Sequence, residues 1–226
     1  MCNPDDIKPD PIPGLPEELP EGERILWRGS PDWRSLALHV FHVRAVAIYF
    51  AALLAWKTGA ALAAGGGLAE AAMSAGMVAL FAAAALGLLL LFARLTAKAT
   101  IYTITNARVV MRIGVALPKT VNVPFTVIGS AALKLRKGGD GDIPMQLVGP
   151  NRAAYLHLWP HARPWRLVTA EPMLRGIPDA AAVANILAGA LAEKAGQPAA
   201  RIAPQPAEAE TPRRAPMPGR AAMANG

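Results

Sequence analysis

The sequence predicts an α-helical membrane hairpin followed by an α+β domain, in which a C-terminal helix caps an antiparallel β-barrel. Apolar residues crowd between positions 45 and 93, whereas the flanking segments carry nearly all of the charge. From position 99 the apolar pattern changes to a period of two, which is typical of half-buried strands. The chain has 226 residues and a net charge of +7, so it has room for one modest domain outside the membrane.

The N-terminal segment, residues 1–23, combines six prolines with seven acidic residues. This composition buries too little apolar surface to form a core, so it predicts a disordered acidic leader. In residues 24–34, Ile25 and Trp27 alternate with polar neighbours before a glycine and a proline. That pattern predicts a short strand and a turn, and the strand needs a partner from the β-domain later in the chain.

Two apolar segments predict the membrane hairpin. Residues 71–93 contain no charged side chain, and about 20 apolar residues are enough for a helix to cross a bilayer. Residues 44–64 form the second segment, in which Lys57 must lie close to the far interface. The alternative is a helix buried on every side in a soluble protein, but that helix needs a larger protein than this one to cover it.

Basic residues at the outer ends of the hairpin predict its orientation. Arg34 and Arg44 precede or begin the first segment, and Arg94 and Lys98 follow the second. The positive-inside rule therefore places both termini in the cytoplasm of a bacterial cell. Small residues recur every four positions in both segments, which favours close packing of two helices in lipid. The abundance of alanine is the alternative explanation, and pairing of two copies into a homodimer stays open.

β-branched and aromatic residues predict the β-domain, which extends over residues 99–196. Residues 100–114 are typical of two strands joined by a tight turn. Turn residues separate four further predicted strands, at residues 120–125, 128–135, 144–148 and 153–158. Residues 180–194 carry one apolar helical face, which predicts the closing helix. Residues 197–226 are rich in proline and alanine with scattered arginines, and they predict a disordered basic tail.

Histidines are the candidate ligands, since the one cysteine, Cys2, rules out a cysteine-based metal cluster. His39 and His42 precede the first apolar segment, and His157 and His161 flank a Trp-Pro pair. A neutral imidazole at a membrane edge is able to bind a chlorophyll-type magnesium, but an interfacial role is the alternative for each. Because no motif for phosphate, a nucleophile or a metal is visible, the sequence predicts no cofactor and no enzyme.

Basic residues of the β-domain predict a surface for lipid or for another protein. Each Lys or Arg near an anionic leaflet contributes about 1 kcal/mol of binding free energy. Arg94 and Lys98 are assigned to membrane topology alone. The role of the others stays open, namely Arg108, Arg112, Lys119, Lys134, Arg136 and Lys137.

Two motifs carry a resemblance to known families. Residues 19–33, LPEGERILWRGSPDW, continued by residues 41–50, FHVRAVAIYF, resemble the PuhB family of photosynthetic complex assembly proteins of purple bacteria. Residues 102–114, YTITNARVVMRIG, are similar to the hairpin of bacterial pleckstrin-homology-like domains, which commonly follow paired transmembrane helices. The resemblance covers about residues 15–196, and it implies a pleckstrin-homology-like β-barrel capped by one C-terminal helix.

The PuhB resemblance implies a non-enzymatic factor that helps to assemble the photosynthetic reaction centre and its core light-harvesting complex in the bacterial inner, intracytoplasmic membrane. The implied partners are reaction-centre subunits, core light-harvesting proteins and membrane lipid, and no nucleic acid. The candidate partner-binding residues are Trp27, Trp33, His42 and Arg44, although barrel core is the alternative for Trp27. A general lipid-sensing scaffold and a pigment-modifying enzyme are the alternative functions.

Overall fold

A computed structural model describes residues 15, 19–148, 158–164 and 170–196 of the chain. The predicted tail, most of the predicted leader, most of the predicted strand at 153–158, and His157 lie outside these residues. The helices within them are α1 (Trp33–His39), α2 (Val43–Ala63), α3 (Leu68–Ala99) and α4 (Ala180–Ala195). The strands are β1 (Ile25–Gly29), β2 (Ile101–Thr105), β3 (Arg108–Ile113), β4 (Lys119–Pro124), β5 (Ile128–Ala131), β6 (Lys134–Leu135), β7 (Gly141–Leu147) and β8 (Met173–Ile177).

The first sheet is an antiparallel meander in the order β1–β2–β3–β4. The partner of the N-terminal strand β1 is β2, with Gly29 opposite Tyr102. Glu23, which the composition assigned to the leader, is tied to this sheet. Its carboxylate accepts hydrogen bonds from the Arg108 guanidinium at 2.8 and 3.0 Å and from the Thr105 hydroxyl at 2.7 Å. Part of the predicted leader is therefore anchored to the first sheet.

The second sheet is built around β7, which pairs antiparallel with β5, β6 and β8. Residues 128–135, predicted as one strand, are divided into β5 and β6. Between them Ala132 donates its backbone N–H to the carbonyl oxygen of Pro144 at 3.1 Å, but Pro144 has no N–H to donate in return. The ladder is therefore interrupted beside this proline, and the strand breaks there.

The prediction of a closed β-barrel is wrong, because no ladder joins the two sheets among the described residues. A short 3₁₀ turn, Phe125–Val127, carries the chain from β4 to β5. The Phe125 side chain is buried in the core there, and its N–H donates to the carbonyl oxygen of Ala107. One apolar core nevertheless combines both sheets with α4, whose presence confirms the predicted C-terminal helix. Its members include Ile104, Met111, Ile143, Leu174, Val183 and Leu187.

Helices α2 and α3 contact each other along the hairpin. Both are long and apolar enough to cross a membrane, and the most apolar part of each contains no residue buried inside the protein. A core helix of a soluble protein, in contrast, is mostly covered. Helix α3 extends beyond the predicted segment 71–93 and ends at Ala99, so that only Thr100 separates it from β2. The hairpin therefore continues almost directly into the first sheet.

A short helix that the sequence pattern did not predict, α1, lies between the sheet and the hairpin. Asp32 caps it, because its carboxylate accepts hydrogen bonds from the N–H groups of Arg34 and Ser35, both at 3.3 Å. Trp33 and Arg34, predicted in a turn, therefore lie in the first turn of a helix. The N–H of Asp32 donates to the carbonyl oxygen of Gly176 in β8 at 2.7 Å, which connects α1 to the second sheet.

The contact between α1 and β8 predicts the effect of a substitution at Gly176. This residue has a φ of +59°, and a β-carbon there would lie 3.3 Å from that of Ser35. We expect Gly176→Ala to lower the free energy of unfolding by about 1–3 kcal/mol, measured by thermal unfolding in detergent. Gly189→Ala is the control, since Gly189 lies within α4 with open space around it. It should raise stability by about 0.5–1 kcal/mol, and equal effects of the two substitutions would contradict the prediction.

Candidate docking site at the base of the hairpin

The base of the hairpin is where the apolar helices meet the β-domain, and we define it as α1 together with residues 41–44 and 93–99. Both connections between hairpin and domain pass through it, since β1 leads through α1 into α2 and α3 leads into β2. A small buried cluster is formed there by Leu36, Ala37, Ala93 and Ala97. Packed against it are Trp33, Val40, Phe41 and Val43. The end of α3 is therefore covered by α1.

Trp33 lies between two cations at this base. The Arg94 guanidinium carbon is 4.8 Å from the centre of the Trp33 ring, and that of Arg34 is 5.6 Å from it. Cation–π contacts of this kind contribute about 0.5–1 kcal/mol at exposed sites. Arg94, assigned from the sequence to membrane topology alone, thus also contacts a candidate partner-binding residue. A separation of 61 positions left no sequence signal for this contact.

His42 and Arg44 are exposed at the start of α2. His42 precedes the helix in a left-handed conformation, with a φ of 53°, and its Nδ1 lies 2.9 Å from the carbonyl oxygen of Val40. The structure thus places Trp33, His42 and Arg44 in the hairpin base. Trp27 is elsewhere, because it lies half-buried on β1 and packs against the main core. A partner-binding role of the first three stays a prediction.

Trp159 adds an aromatic side chain that the sequence analysis did not single out. Its ring meets that of Phe41 edge to face, with centroids 6.4 Å apart and planes at 87°. Edge-to-face pairs are a favoured aromatic geometry. Trp159 is 55% exposed, so it enlarges the exposed aromatic surface beside the base. Phe41 and Trp159 are 118 positions apart in the sequence, so no local pattern indicates this pair.

A polar network, formed by Ser35, Arg136, Asp140 and Asp142, connects α1 to the β-domain. The Ser35 hydroxyl donates to Asp140 at 2.6 Å, and Arg136 donates to the same carboxylate at 2.9 Å and to the Ser35 oxygen at 3.1 Å. Arg136 also donates to Asp142, whose second oxygen accepts the N–H of Gly176 at 2.9 Å. We call this set the Arg136 network. The network connects α1 to the two ends of the turn between β6 and β7, at Arg136 and Asp140, and through Asp142 to β8.

The charges of the Arg136 network alter the titration of one of its members. Burial by itself would raise the pKa of Asp140, but the hydrogen bond from Ser35 and the charge of Arg136 together lower that pKa below its usual value. Asp140 is therefore ionised at neutral pH. The network holds two carboxylates against one guanidinium. Its contact with α1 was missed because Ser35 lies about 100 positions before Arg136 and Asp140 in the sequence.

His161 is buried in a second polar cluster, directly beyond the end of α3. Its Nδ1 lies 2.6 Å from the Tyr102 hydroxyl and its Nε2 lies 3.2 Å from the Thr100 hydroxyl. The Tyr102 oxygen accepts the N–H of Arg175 at 3.2 Å, so its proton is left to donate to Nδ1. Nε2 then carries the ring proton and donates to Thr100. Burial above all, and the Arg175 charge, lower the pKa of His161 to about 3.

The cluster leaves His161 no ring nitrogen for a pigment magnesium, because both already have protein partners. His39 is also engaged, since its Nδ1 lies 3.1 Å from the carbonyl oxygen of Ser35. In the part of the chain that the structure describes, no group of three or more His, Cys, Asp or Glu side chains is placed to hold a metal ion. His42 resembles His39, because both rings are exposed and each has a backbone carbonyl oxygen within hydrogen-bond distance of its Nδ1.

The comparison with protein families matches this architecture. The bacterial PH domain family matches residues 38–191, a range that includes both long helices and most of the β-domain. The chain belongs to this family. The resemblance to a bacterial pleckstrin-homology-like domain is thereby confirmed, and we use "PH domain" below for the two sheets with α4. No solved structure matches the chain.

One curated protein is similar to nearly the whole chain. It comes from Rhodobacter capsulatus, where it is described as a 23.7 kDa protein in the puhA 5′ region. The two sequences are 43% identical over 197 residues, which cover 87% of this chain and 92% of the relative. The similarity therefore extends beyond the PH domain match, into the N-terminal or C-terminal flank.

Proposed function

We propose that this protein is a non-enzymatic, membrane-anchored assembly factor for the photosynthetic reaction centre and its core light-harvesting complex. The observation that carries the proposal is the 43% identical relative described by its place in the 5′ region of puhA, a photosynthesis gene. Two exposed apolar helices and a PH domain support a role in binding other membrane proteins. Reaction-centre and core light-harvesting subunits are the partners expected at such a surface.

In this proposal α2 and α3 cross the bacterial inner membrane, and both chain termini are cytoplasmic. Arg34 lies in α1 and Arg44 at the start of α2, and Arg94 and Lys98 lie near the end of α3. The connection between the helices, residues 64–67, carries no charge. Retention of positive charge on the cytoplasmic side favours this orientation.

The base of the hairpin is the surface that we expect a subunit to contact. Tryptophan and arginine are enriched among the residues that dominate binding energy at protein interfaces, and Trp33, Arg44 and Trp159 bring both types to one region. The Arg136 network holds α1 in place before a partner arrives. A pre-ordered surface binds more tightly, because less conformational entropy is lost on association.

A co-purification experiment tests this function. The tagged protein is purified in mild detergent from cells grown phototrophically, and the bound subunits and pigment absorbance are measured. Arg44→Gln should reduce co-purified reaction-centre subunits at least about fivefold, corresponding to about 1 kcal/mol. Lys194→Gln is the matched control, because Lys194 is an exposed cation in α4, away from the base. It should leave the yield unchanged.

Deletion of the gene separates the function from the site. Normal reaction-centre abundance in the deletion strain would overturn the assembly role. A deletion defect together with normal co-purification by Arg44→Gln would overturn only the docking surface. His42→Gln tests a bacteriochlorophyll contact, and unchanged pigment absorbance in the purified complex would rule out that ligand role.

A general lipid-sensing scaffold is the second candidate function. The PH domain match and the exposed cations of the domain favour it, because basic side chains attract anionic lipid. Purification of the protein without reaction-centre subunits, combined with binding to vesicles only when they contain phosphatidylglycerol, would support this function instead. The same purified material distinguishes the two candidates.

A further inference from the structure

The loop between β3 and β4, residues 114–118, exposes apolar side chains that nothing in the described fold covers. Leu117 is 74% exposed and Val115 is 42% exposed. The loop has a defined shape, since Gly114 has a φ of +110° and a β-carbon there would collide with the carbonyl oxygen of Leu117. Ala116 and Pro118 are exposed as well, so the loop presents a continuous apolar tip rather than a single apolar side chain, and continuous exposed apolar surface marks interaction sites.

Strand register places this β3–β4 loop at the end of the sheet that faces the hairpin. Ile113 and Lys119 form the last pair before the loop, and Arg112 pairs with Ile101, the first residue of β2. β1 leaves the sheet at the same end, because Gly29 lies opposite Tyr102. Both connections to the hairpin and the β3–β4 loop therefore share one end of the sheet, with two strand spacings, about 10 Å, between β2 and β4.

The length of α3 sets the height of that end above the bilayer. Ala99 lies six positions beyond Ala93, the last residue of the uncharged segment, which corresponds to about 9 Å along a helix. The headgroup layer on each side of the hydrocarbon core is about 5–7 Å thick. The start of β2 therefore lies just above the headgroups, and the β3–β4 loop projects past the start of β2.

The exposed cations around the loop favour binding to an anionic membrane surface. Lys119 is exposed at the foot of the loop, and Lys98 is exposed on the last turn of α3. Apolar side chains between exposed cations are typical of protein segments that lie in the interface of a membrane with anionic lipid. A loop held this close to the bilayer by its own helix has lipid as its nearest neighbour.

We propose that the β3–β4 loop inserts Val115 and Leu117 into the headgroup region of the bilayer that the hairpin crosses, with Lys98 and Lys119 contacting anionic headgroups. The PH domain then contacts the cytoplasmic leaflet, and this contact holds the base of the hairpin in one fixed orientation. This inference rests on the proposed crossing of the membrane by α2 and α3.

Fluorescent labels on the full-length protein in nanodiscs test the inference. Cys2→Ser removes the one natural cysteine, and single cysteines are then introduced by Leu117→Cys, Thr126→Cys or Met77→Cys for an environment-sensitive fluorophore. Thr126 is exposed in the 3₁₀ turn at the opposite end of the sheet, and Met77 is exposed within α3. In phosphatidylglycerol nanodiscs with brominated lipids, we expect quenching at 117 and 77 and none at 126.

Lipid charge and a single substitution make the test quantitative. In neutral phosphatidylcholine nanodiscs the label at 117 should be quenched much less. Lys119→Gln should lower the ratio of inserted to free loop about fivefold in phosphatidylglycerol, as expected from the loss of one cation near the leaflet. Equal quenching in neutral and anionic lipid would overturn the role of the lysines.

The label within α3 separates failure of the loop proposal from failure of the membrane anchor. If the label at 117 behaves like the one at 126 while the label at 77 is quenched, the hairpin is embedded and the loop proposal is wrong. If the label at 77 is not quenched, the membrane crossing is wrong, and the loop proposal is overturned with it.

Discussion

Replacing Arg136 with glutamine is expected to lower the free energy of unfolding by about 3–5 kcal/mol, the usual cost of removing one partner from a buried ion pair. Arg136 donates to Asp140, Asp142 and the Ser35 hydroxyl, and all four groups are largely shielded from solvent. Without the guanidinium, two carboxylates face each other across a turn with little water to screen them. The loss should appear as a lower midpoint of thermal unfolding in detergent.

Lys137→Gln is the matched control for this substitution. Lys137 is the next residue along the chain, it carries the same charge, and it is exposed. Its replacement should change stability by less than about 0.5 kcal/mol. If Arg136→Gln also costs less than about 1 kcal/mol, the network has the energy of an ordinary surface ion pair, and α1 is held by its apolar contacts alone.

The pH dependence of the Arg136 effect gives an independent check. Because the pKa of Asp140 is lowered in the folded protein, its contribution to stability is complete above the usual value of 3.8 and is lost as the pH falls below it. The difference between wild type and Arg136→Gln should therefore shrink below about pH 4. A constant difference across that range would mean that Asp140 contributes nothing through Arg136.

Loosening of the network has a consequence for assembly. α1 covers the end of α3 through Leu36 and Ala37, and the Arg136 network joins α1 to the second sheet. If the base of the hairpin docks a subunit, Arg136→Gln should reduce co-purification even though Arg136 does not itself belong to that surface. A fall in co-purified subunits that accompanies the fall in the free energy of unfolding would link subunit docking to the position of α1.

Helices α2, α3 and α4 and most strands were predictable from the sequence because their signals are local. An uncharged run such as residues 71–93 needs no tertiary information to indicate a membrane helix, and alternation in residues 100–114 indicates paired strands whatever lies beside them. α4 was recognisable from its own apolar face. In each case the feature that decides the structure lies within about 30 consecutive residues.

Features that depend on distant partners were not predictable. Between the two sheets the chain passes through a 3₁₀ turn in which Phe125 is buried in the shared core, and that burial depends on residues distant in the sequence. α1 is too short for an amphipathic pattern, and its stability depends on the Asp32 cap and on the end of α3. The contacts of Trp33 with Arg94 and of Ser35 with Asp140 join elements that only the folded chain brings together.

Acidification from pH 7 to pH 5 is expected to lower the free energy of unfolding by about 2 kcal/mol through His161 alone. Burial lowers the pKa of His161 in the folded protein to about 3, whereas the ordinary value for histidine is 6.5. Below pH 6.5 the unfolded chain therefore binds a proton that the folded chain does not, and stability falls as the pH falls. Above pH 6.5 both states are neutral at this residue, and its contribution is complete.

His161→Gln is the variant that isolates this effect. A glutamine side chain carries a carbonyl oxygen to accept from Tyr102 and an amide N–H to donate to Thr100, but it does not titrate. The variant should lose stability at neutral pH through imperfect packing, yet its stability should change by about 2 kcal/mol less than that of wild type between pH 7 and pH 5. Chemical unfolding at both pH values, followed by tryptophan fluorescence, measures the difference.

His42→Gln is the control, because the His42 ring is exposed. This substitution should leave the difference in stability between pH 7 and pH 5 as it is in wild type. If His161→Gln shows the same slope as wild type, His161 takes up its proton in the folded state, and the cluster with Tyr102 and Thr100 must open to admit the charge. That cluster adjoins the junction of α3 with β2, so such an opening would weaken the connection between the hairpin and the PH domain.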